Sequence, residues 1–552
     1  MRHLLLTAFL TASLGAQETP RQATEARLWL RVPAGQAPLR DLEVSAGSAM
    51  PAPWEKDPAA RERLTEIIFP VRWWDWRSIS ISFISPADGS VELVLTGPWE
   101  EEKPGQVFRK EVLWDGITAE GTELGNGSFE IQTNGRPDAW TAGGRDYPTP
   151  SEWPLSGAEA LQGSRLASAS QDRPLGQTLQ VSANRKVTLQ LHAKAATLPG
   201  FTAPKRLGRD TPAHRALAQI KRGMNLGNCW EAPPPYTWGI RYTVEDIDRI
   251  AAEGFDHVRV PVAWTHHLKP VAAGWEISPT LLADLEPVLR RALEKKLHVL
   301  LDWHHFDELT DAPAAQRARF VSSWETIARH FKDWPAGLFL ELLNEPRDAL
   351  TTEAANPIYA EAIAAIRRID PQRILLVSPG NWGDIRELDK LQLPDGDERL
   401  VVTVHCYEPF YFTHQGAPWV NLHDLRGIVY PGPPASPLAV PERHRENAGI
   451  RDFIARYNSL PTGQNPCSAA AVRDLLDYAK AWAEHFGRPI HLGEFGSHDI
   501  GDQPSRSRYS EEVRSMAEAR GIPWTLWDWK ATFGYWDSQK NKPRFPREAL
   551  LD

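Results

Sequence analysis

Cysteine is nearly absent from this sequence. Its 552 residues include three cysteines, Cys229, Cys406 and Cys467, so at most one disulfide bond can form and a disulfide framework is excluded. Neither a CxxC nor an HExxH spacing occurs, which leaves no familiar motif for a structural or catalytic metal. We therefore expect no metal site, and we expect Cys406 to be a small buried apolar residue.

Basic charge and long apolar runs are scarce as well. The formal net charge is −9 and no stripe of lysine and arginine stands out, so a nucleic-acid partner is not expected. Beyond the N-terminus, no apolar stretch approaches the length of a transmembrane helix. These features predict a protein that interacts with neither nucleic acid nor membrane.

The N-terminus carries one short apolar run. Arg2 and His3 precede it, residues 4–14 form it, and the small residues Gly15 and Ala16 follow. Such a run is too short to span a bilayer and is typical of a secretory signal peptide. We expect residues 1–16 to be that peptide and the mature protein to be secreted, either extracellular or periplasmic.

Tryptophan is the abundant residue type. The chain has 23 tryptophans, more than its 18 phenylalanines or its 11 tyrosines. An indole ring offers a flat apolar face and one N–H donor. Sugar rings present flat apolar faces to stack on it, so the composition points towards carbohydrate as the ligand.

Length and pattern predict two domains. A single core stops growing at roughly 250–300 residues, which is well below the length of this chain. Residues 17–195 show short alternating runs, such as Ile79–Phe83 and Val187–Leu191, separated by turn residues. This alternation is typical of half-buried antiparallel strands and predicts a β-sandwich. Residues 196–214 read as a linker, and residues 215–552 form the second domain.

The second domain alternates apolar strands with helical patterns. Eight strands are predicted, at Arg222–Leu226, His257–Val262, His298–Trp303, Leu338–Asn344, Arg373–Ser378, Leu400–His405, Pro489–Glu494 and Trp524–Trp527. Eight strands with intervening helices over about 330 residues predict a (β/α)₈ TIM barrel. The longest break, residues 407–467, is rich in proline and glycine and is expected to be a long loop on the catalytic face.

Polar residues follow several of these strands. In "LFLELLNEPRD", residues 338–348, Pro346 ends strand pairing and leaves Asn344 and Glu345 at the strand tip. Glu494 lies at the end of the seventh strand, across the barrel mouth from Glu345. Paired carboxylates at the C-terminal ends of barrel strands are the apparatus of glycoside hydrolysis. Arg259 and Tyr407 are expected to hold Glu494 ionised, while Glu345 retains its proton longer.

These residues resemble those of glycoside hydrolase family 5, the large cellulase and mannanase family of clan A. The matching motifs are "HVRVP", "LDWHH", "NEP", "HCY", "GEFG" and "LWDW", in order along the second domain. Three further stretches, "RGMNLGNCWEAP", "FTHQGAPW" and "FGYWD", are most similar to members that cut β-1,4-glucans, some of which also accept mannans.

The resemblance implies a role for each matching residue. Glu345 is implied as the general acid and then the general base, and Glu494 as the nucleophile of a retaining, double-displacement reaction. The implied substrate-binding residues are Arg259, His304, Asn344, His405, Tyr407 and Trp527, with Asn228, Glu231 and Trp238 after the first strand and Trp382 and Trp419 as further platforms. Among them, Asn344 is implied to bind the sugar 2-hydroxyl, and Trp527 to stack under the sugar at the cleavage point. No metal or organic cofactor is implied.

We therefore expect a monomeric endo-β-1,4-glucanase whose partner is a polysaccharide. The alternatives within the same family are a β-mannanase, a xyloglucanase, a xylanase, a β-1,3- or mixed-linkage glucanase, or an exo-acting β-glucanase. A non-catalytic glycan-binding protein is a further alternative, although such proteins usually lose one of the two carboxylates.

The first domain has a weaker resemblance of its own. "LGNGSFEIQTNGRPDAW", residues 124–140, is similar to the opening of jelly-roll carbohydrate-binding modules, and "VTLQLHAKA" resembles a later strand of those modules. Trp73, Trp74 and Trp76 form either a sugar-stacking face or part of the sandwich core. The domain is thus expected either to bind sugar or to brace the barrel.

Overall fold

The structure is a computed structural model that describes residues 25–52, 55–103, 106–133, 136–142, 160–171, 173–197, 203–233, 238–272 and 274–551. The predicted signal peptide lies outside these residues. The chain divides into two compact units, Met1–Thr202 and Ala203–Asp552. Within the described residues, every helix is too short or too polar to cross a membrane.

The first unit contains two antiparallel sheets. One sheet has six strands in the order Thr141–Ala142, Leu175–Val181, Gly89–Thr96, Glu25–Arg31, Leu64–Pro70 and Ser48–Pro51. The other has five, in the order Ala167–Ala169, Val112–Glu120, Lys186–Ala195, Arg77–Ile84 and Arg40–Val44. Two small ribbons, Gln132–Thr133 with Arg136–Pro137 and Trp99–Lys103 with Gln106–Arg109, and the short helix Pro58–Arg61 complete the unit. The predicted all-β sandwich is confirmed.

Four aromatic side chains from the parts of this unit discussed above are buried. Trp73 and Trp74 are both buried, which contradicts a sugar-stacking face formed by these two rings. In the 124–140 motif, Phe129 and Trp140 are buried against each other with ring centroids 5.2 Å apart. The side chain of Asn126 holds the intervening turn by bonding Ile131 and Asp138. The motif residues therefore have structural partners within the sandwich.

The second unit contains a closed parallel barrel of eight strands. We label these strands β1 (Arg222–Asn225), β2 (His257–Val262), β3 (His298–Trp303), β4 (Leu338–Glu341), β5 (Leu375–Val377), β6 (Leu400–His405), β7 (Ile490–Phe495) and β8 (Trp524–Leu526). Each strand pairs with its sequence neighbours, and β8 pairs with β1 to close the ring. The predicted (β/α)₈ barrel is confirmed.

Helices alternate with the barrel strands. They are Pro212–Leu217, Val244–Glu253, Pro279–Glu294, Asp307–Asp311, Pro313–Phe331, Thr352–Ile369, Phe410–Thr413, Ala448–Ser459, Ala469–Phe486, Gln503–Ala519 and Glu548–Leu551, with a non-ideal turn at Gly380–Gly383. Short 3₁₀ segments occur at Trp264–His266, Ile385–Lys390, Glu442–His444 and Thr462–Gln464, and two hairpins pair Leu268–Val271 with Gly274–Ile277 and Trp536–Asp537 with Lys542–Pro543.

The predicted linker does not remain separate from the barrel. Its residues 198–202 are outside the described part of the chain, and the helix Pro212–Leu217 packs against the barrel. Ala213 and Leu217 share a buried cluster with Leu300 and Phe339, which lie on β3 and β4. The apolar face of this helix therefore extends the barrel core.

Strand β4 is shorter than the sequence predicted. Regular pairing ends at Glu341, although the amide of Leu342 still donates to Leu376 and that of Asn344 to Trp303. The next residue, Glu345, has φ of +39°, a left-handed conformation that is uncommon for a residue with a side chain. The chain therefore turns sharply where the strand stops, and Glu345 lies in this turn.

The 407–467 segment contains more regular structure than the predicted loop. The helix Ala448–Ser459 buries Ile450, Phe453, Ile454 and Tyr457, at the spacing expected of one helical face. Asn447 caps it by accepting a hydrogen bond from the amide of Ile450. The segment therefore contains a packed helix and is not an open loop throughout.

Candidate active site

A groove of about 1030 Å³ lies at the C-terminal ends of the barrel strands. Among the predicted site residues, those that line it are Asn228, Glu231, Trp238, His304, Glu345, Trp382, His405, Tyr407, Trp419, Glu494 and Trp527. The remaining two, Arg259 and Asn344, are buried next to the lining. The structure thus brings the predicted residues together around one cavity.

Glu345 and Glu494 face each other in this groove. A carboxylate oxygen of Glu345 and one of Glu494 lie within 4.8 Å of each other. Nδ1 of His405 lies 2.8 Å from Glu345 Oε1 and 3.7 Å from Glu494 Oε2. Glu345 has 22 % of its side chain exposed and Glu494 has 5 %. Two carboxyl groups about 5–5.5 Å apart are the arrangement of retaining glycosidases, in which no water fits between acid and nucleophile.

The two carboxyl groups have unlike partners. Glu494 accepts hydrogen bonds from Arg259 Nη1 at 2.8 Å and from the Tyr407 hydroxyl at 2.7 Å. Glu345 Oε1 lies 2.8 Å from Nδ1 of His405. A guanidinium is permanently charged, whereas burial lowers the pKa of His405 and favours its neutral ring. The contacts therefore favour the ionised form of Glu494 over that of Glu345.

Burial raises the pKa of both groups. The pKa of Glu345 is raised to about 7 by desolvation, which the charges of Arg259 and Arg347 oppose. Desolvation likewise raises the pKa of Glu494 to about 7, against the effects of His405, Arg259 and Tyr407. Two such close carboxyl groups titrate as a coupled pair and hold one proton between them near neutrality. We assign that proton to Glu345, since Glu494 has the charged donor.

Arg259 is the centre of a buried polar network. Its side chain is fully buried, and its Nε and Nη2 atoms donate to both oxygens of Glu341 at 2.8 and 2.7 Å. Nη2 also donates to Asn344 Oδ1 at 2.8 Å and lies 3.1 Å from Asp302 Oδ2. Because Asn344 Oδ1 accepts from Arg259, its amide NH₂ group remains available to a ligand. The network fixes Asn344 and Glu494 relative to each other.

The sequence interpretation missed Glu341 and left the role of Asp302 open, and the carboxyl groups of both residues lie against Arg259. Both are fully buried, Glu341 at the end of the otherwise apolar strand β4 and Asp302 in β3. A lone carboxylate inside an apolar barrel strand was the available signal, because an unpaired buried charge is very costly and predicts a buried cation nearby.

His304 and Trp527 form one side of the groove. Their rings are stacked, with centroids 5.3 Å apart and planes inclined by 7°. His304 Nδ1 lies 3.2 Å from Asp302, which orients the ring. A Cβ atom at Gly227 would come within 2.7 Å of the Trp527 indole, so glycine is needed for the loop after β1 to pass this ring. Both residues line the groove.

The loop after β1 supplies three predicted residues. Glu231 is buried and accepts hydrogen bonds from the amides of Asn228 and Cys229, and burial raises its pKa to about 8. Asn228 has φ of +68°. Glu231 thus shapes this loop as well as lining the groove. Trp238 lies at the edge of the groove beside His305, with 46 % of its surface exposed.

Trp382 and Trp419 are exposed on two other loops. Trp382 is 50 % exposed, and both it and Asn381 have left-handed backbone conformations, with φ of +59° and +51°. A bulky residue in this region is strained, and such strain is concentrated at functional sites. Trp419 is 58 % exposed, and its ring packs against the rings of His498 and Phe533.

Several lining residues were not predicted. They are His305, Arg347, Asn381, Asp384, Arg386, Cys406, Glu408, Phe410, His414, Val420, Leu475, Thr532 and Phe533. Most lie on loops whose course is set by tertiary packing, which a periodicity analysis does not reveal.

Comparison with known families identifies the family of the barrel domain. The family Cellulase (glycosyl hydrolase family 5) matches residues 219–532, which is more than half of the chain. The protein belongs to glycosyl hydrolase family 5. The matched region includes every predicted site residue, from Asn228 to Trp527.

Relatives of this family 5 protein include several endoglucanases. Endoglucanase H of Acetivibrio thermocellus is 25 % identical over 338 residues, covering 61 % of this chain and 32 % of the relative. Endoglucanase 3 of Fibrobacter succinogenes is 26 % identical over 345 residues, covering 59 % and 52 %. Endoglucanase C of A. thermocellus is 29 % identical over 333 residues, covering 57 % and 92 %. The aligned region thus spans about a third to a half of the length of the first two.

Solved structures of the family share the barrel. Cel5A of Thermotoga maritima in complex with cellobiose is 30 % identical with a TM-score of 0.53, and covers 62 % of this chain and 100 % of its own. The same enzyme in complex with mannotriose gives 29 % identity and a TM-score of 0.53 over the same shares of the two chains. The cellulose synthase subunit Z of Clostridioides difficile is 28 % identical with a TM-score of 0.52, covering 60 % and 100 %.

Proposed function

We propose that this protein is a secreted, retaining endo-β-1,4-glucanase. The observation that carries the proposal is the close pair Glu345 and Glu494, within 4.8 Å in one groove and with unlike partners. The family assignment and the endoglucanase relatives support the same substrate class.

In the first step, a carboxylate oxygen of Glu494 attacks the anomeric carbon of the sugar. The bond from that carbon to the glycosidic oxygen breaks, and the proton of Glu345 moves to the departing oxygen. Arg259 and Tyr407 hold the attacking carboxylate in place. The product of this step is a covalent ester between the sugar and Glu494.

In the second step, Glu345 is ionised and takes a proton from a water molecule. The water oxygen attacks the anomeric carbon and Glu494 departs, which returns both groups to their starting states. Two inversions give net retention of the β configuration. We expect the amide of Asn344, which Arg259 holds, to bind the 2-hydroxyl, a contact that strengthens in the transition state.

Substrate choice is tested with a polysaccharide panel. Three exposed tryptophans from three different loops, Trp238, Trp382 and Trp419, support several sugar subsites and therefore an endo mode of action. We expect oligosaccharides of mixed length from carboxymethylcellulose, mixed-linkage glucan and glucomannan. Because the T. maritima relative was crystallised with mannotriose, β-mannan is the second candidate. Binding without product from any β-glucan or β-mannan would contradict an enzymatic role.

The pH dependence follows from the coupled carboxyl pair. Glu345 acts only when protonated, so kcat/KM is lost as the pH rises through its raised pKa of about 7. Glu494 acts only when ionised, so kcat/KM is also lost on the acid side as Glu494 gains a proton. We expect a bell-shaped profile, measured with a soluble cellooligosaccharide, whose alkaline limb lies near pH 7. An alkaline limb at about pH 4.3, the pKa of an unperturbed glutamate, contradicts this assignment.

Removing a tryptophan platform weakens polymer binding. An aromatic stacking contact contributes about 1 kcal/mol, so Trp382→Ala is expected to raise KM for a soluble β-glucan about fivefold with little change in kcat. Trp275, which donates to Ser322 and does not line the groove, supplies the control variant Trp275→Ala. Equal KM values for Trp382→Ala and the parent protein rule out a stacking role.

We also propose that the protein is exported as a monomer, after loss of residues 1–16, and that the sandwich has a structural role and binds no sugar. The exposed large apolar residues that the structure describes in the sandwich are Met50, Ile131 and Leu161, none of them aromatic. N-terminal sequencing of protein from the periplasm or medium tests the export. Retention of the inactive enzyme on insoluble cellulose when its groove is blocked by cellohexaose would indicate a second sugar site and contradict a purely structural role.

A further inference from the structure

An aromatic side chain that the sequence did not indicate lies in the groove. The exposed tryptophan and phenylalanine side chains of the described residues are Trp238, Trp382, Phe410 and Trp419, and all four line the groove. The ring of Phe410 lies on that of buried His414, with centroids 4.3 Å apart and planes inclined by 21°. His414 covers one face of the ring, and 39 % of Phe410 remains exposed. Phe410 thus offers a supported apolar surface on which a sugar ring can stack.

The acid and the nucleophile divide the groove into two sides. Glu345 follows β4 and Glu494 lies in β7, so the loops after β5 and β6 lie on one side of this pair. Trp527 follows β8 and lies on the other side. In the proposed reaction, Trp527 stacks under the sugar that forms the ester with Glu494. The part of the glycan that departs therefore belongs on the side of β5 and β6.

Both loops on this side begin beside the acid. The amide of Trp382, after β5, donates at 3.1 Å to the carbonyl of Pro346, the residue next to Glu345. His405, at the end of β6, lies 2.8 Å from Glu345, and Phe410 follows in the same loop. Glu345 gives its proton to the departing oxygen, so the sugar units attached to that oxygen lie beside these two loops.

Arg386 joins the two loops. Its Nη1 donates at 3.1 Å to Asp384, in the loop after β5, and its Nη2 donates at 3.0 Å to Glu408, in the loop after β6. The Arg386 side chain is 55 % exposed, and exposed ion pairs contribute little to the stability of a fold. This bridge is therefore suited to fixing the relative position of the two loops rather than to holding the barrel together.

Each carboxylate of the bridge also binds the chain beside an aromatic ring. Asp384 accepts a hydrogen bond at 3.3 Å from the side-chain amide of Asn381, the residue before Trp382. Glu408 accepts one at 3.2 Å from the backbone amide of Phe410. The bridge thus acts on the two segments that carry the rings.

We propose that Trp382 and Phe410 are the stacking surfaces for the departing part of the glycan, and that Arg386 positions them through Asp384 and Glu408. The inference rests on the proposed function, in which the two glutamates are acid and nucleophile. It gives this side of the groove a preference for a leaving group that contains a sugar ring over one that does not. The two rings contact substrate in this account, whereas Arg386 is a positioning residue.

The test uses two substrates that differ only in the leaving group. β-Cellobiosyl fluoride loses fluoride, which has no ring to stack, whereas cellotetraose cut at its central linkage loses cellobiose. For both substrates, kcat/KM reports the formation of the same cellobiosyl ester. We expect Phe410→Leu, which keeps apolar bulk but has no flat face, to lower the ratio of the cellotetraose value to the fluoride value about fivefold. Phe410→Tyr keeps the ring and is expected to keep the parent ratio. An unchanged ratio in Phe410→Leu, or an equal fall in Phe410→Tyr, overturns the proposal.

Arg386→Ala tests the positioning role. We expect it to lower the same ratio about twofold, with little change in the midpoint of thermal unfolding. In the double variant Trp382→Ala/Phe410→Ala, the added change Arg386→Ala is expected to have no further effect, because no ring is left to position. A further fall of the ratio in that background means that Arg386 acts on the substrate itself, and it overturns the positioning role.

Two controls separate this inference from the proposed function. Trp238→Ala, in the loop after β1, is expected to keep the ratio, because it lies on the side of the sugar that forms the ester. If Phe410→Leu does not fold, Trp382→Ala supplies the same comparison from the other loop, and an unchanged ratio there overturns the proposal. A parent protein that hydrolyses neither substrate contradicts the proposed function and this inference together. A parent protein that hydrolyses both, with a ratio that depends on neither ring, overturns this inference alone.

Discussion

Glu494→Ala is expected to lose β-1,4-glucan hydrolysis by on the order of 10⁴-fold or more while remaining folded. The loss follows because alanine has no oxygen to attack the anomeric carbon, and the remaining groups do not replace it. The fold is retained because Arg259 keeps its bonds to Glu341 and Asp302 after the carboxylate is removed. Reducing-end release measures the activity, and thermal unfolding checks the fold.

Azide distinguishes the nucleophile from the acid. In Glu494→Ala, azide fits the space left by the carboxylate and attacks dinitrophenyl β-cellobioside directly, so a single inversion gives the α-glycosyl azide. In Glu345→Ala, the covalent ester still forms with this good leaving group, and azide then attacks it to give the β-glycosyl azide. The same anomer from both variants would contradict the assigned roles.

Arg259→Met is expected to lower the free energy of unfolding of the barrel by about 3–5 kcal/mol. Arg259 is fully buried and is the cation that Glu341, Asp302 and Glu494 share. Its removal leaves buried carboxylates without a counter-charge. Either these groups take up protons or the barrel unfolds to expose them to water. Denaturant unfolding followed by tryptophan fluorescence measures the change.

Two further variants isolate the cause of this loss. Arg259→Lys keeps the charge but has no planar fork, so it cannot bond both oxygens of Glu341 and reach Glu494 together, and we expect most of the destabilisation to remain. Arg456→Ala removes an exposed arginine whose helical pair with Asp452 is 3.5 Å long, and it is expected to change stability by less than about 0.5 kcal/mol. Similar losses for Arg259→Met and Arg456→Ala would contradict the central role of Arg259.

Regular elements were predicted well because burial on both faces leaves a clear pattern. The strands β2, β3 and β6 have the predicted bounds, since each is a mostly apolar run of six residues. The carboxyl pair was also predictable, because parallel strands bring all their C-terminal ends to one rim. The order of the strands along the chain then determines which residues lie next to each other at that rim.

Irregular backbone and buried partners were not predictable to the same degree. The end of β4 was placed at Asn344, whereas a left-handed Glu345 and an earlier loss of regular pairing depend on tertiary packing. The helix Ala448–Ser459 did carry a readable apolar spacing, which the proline content around it obscured.

Trapping the covalent intermediate tests the central claim most directly. A 2-fluoro-2-deoxy β-cellobioside with a good leaving group slows both steps, and more strongly the hydrolysis of the ester, so the labelled protein accumulates. Peptide mass spectrometry is expected to place one fluorocellobiosyl group on Glu494, with no label in Glu494→Ala. A label on another residue, or an active enzyme that releases the α-anomer first and is never labelled, would contradict the account.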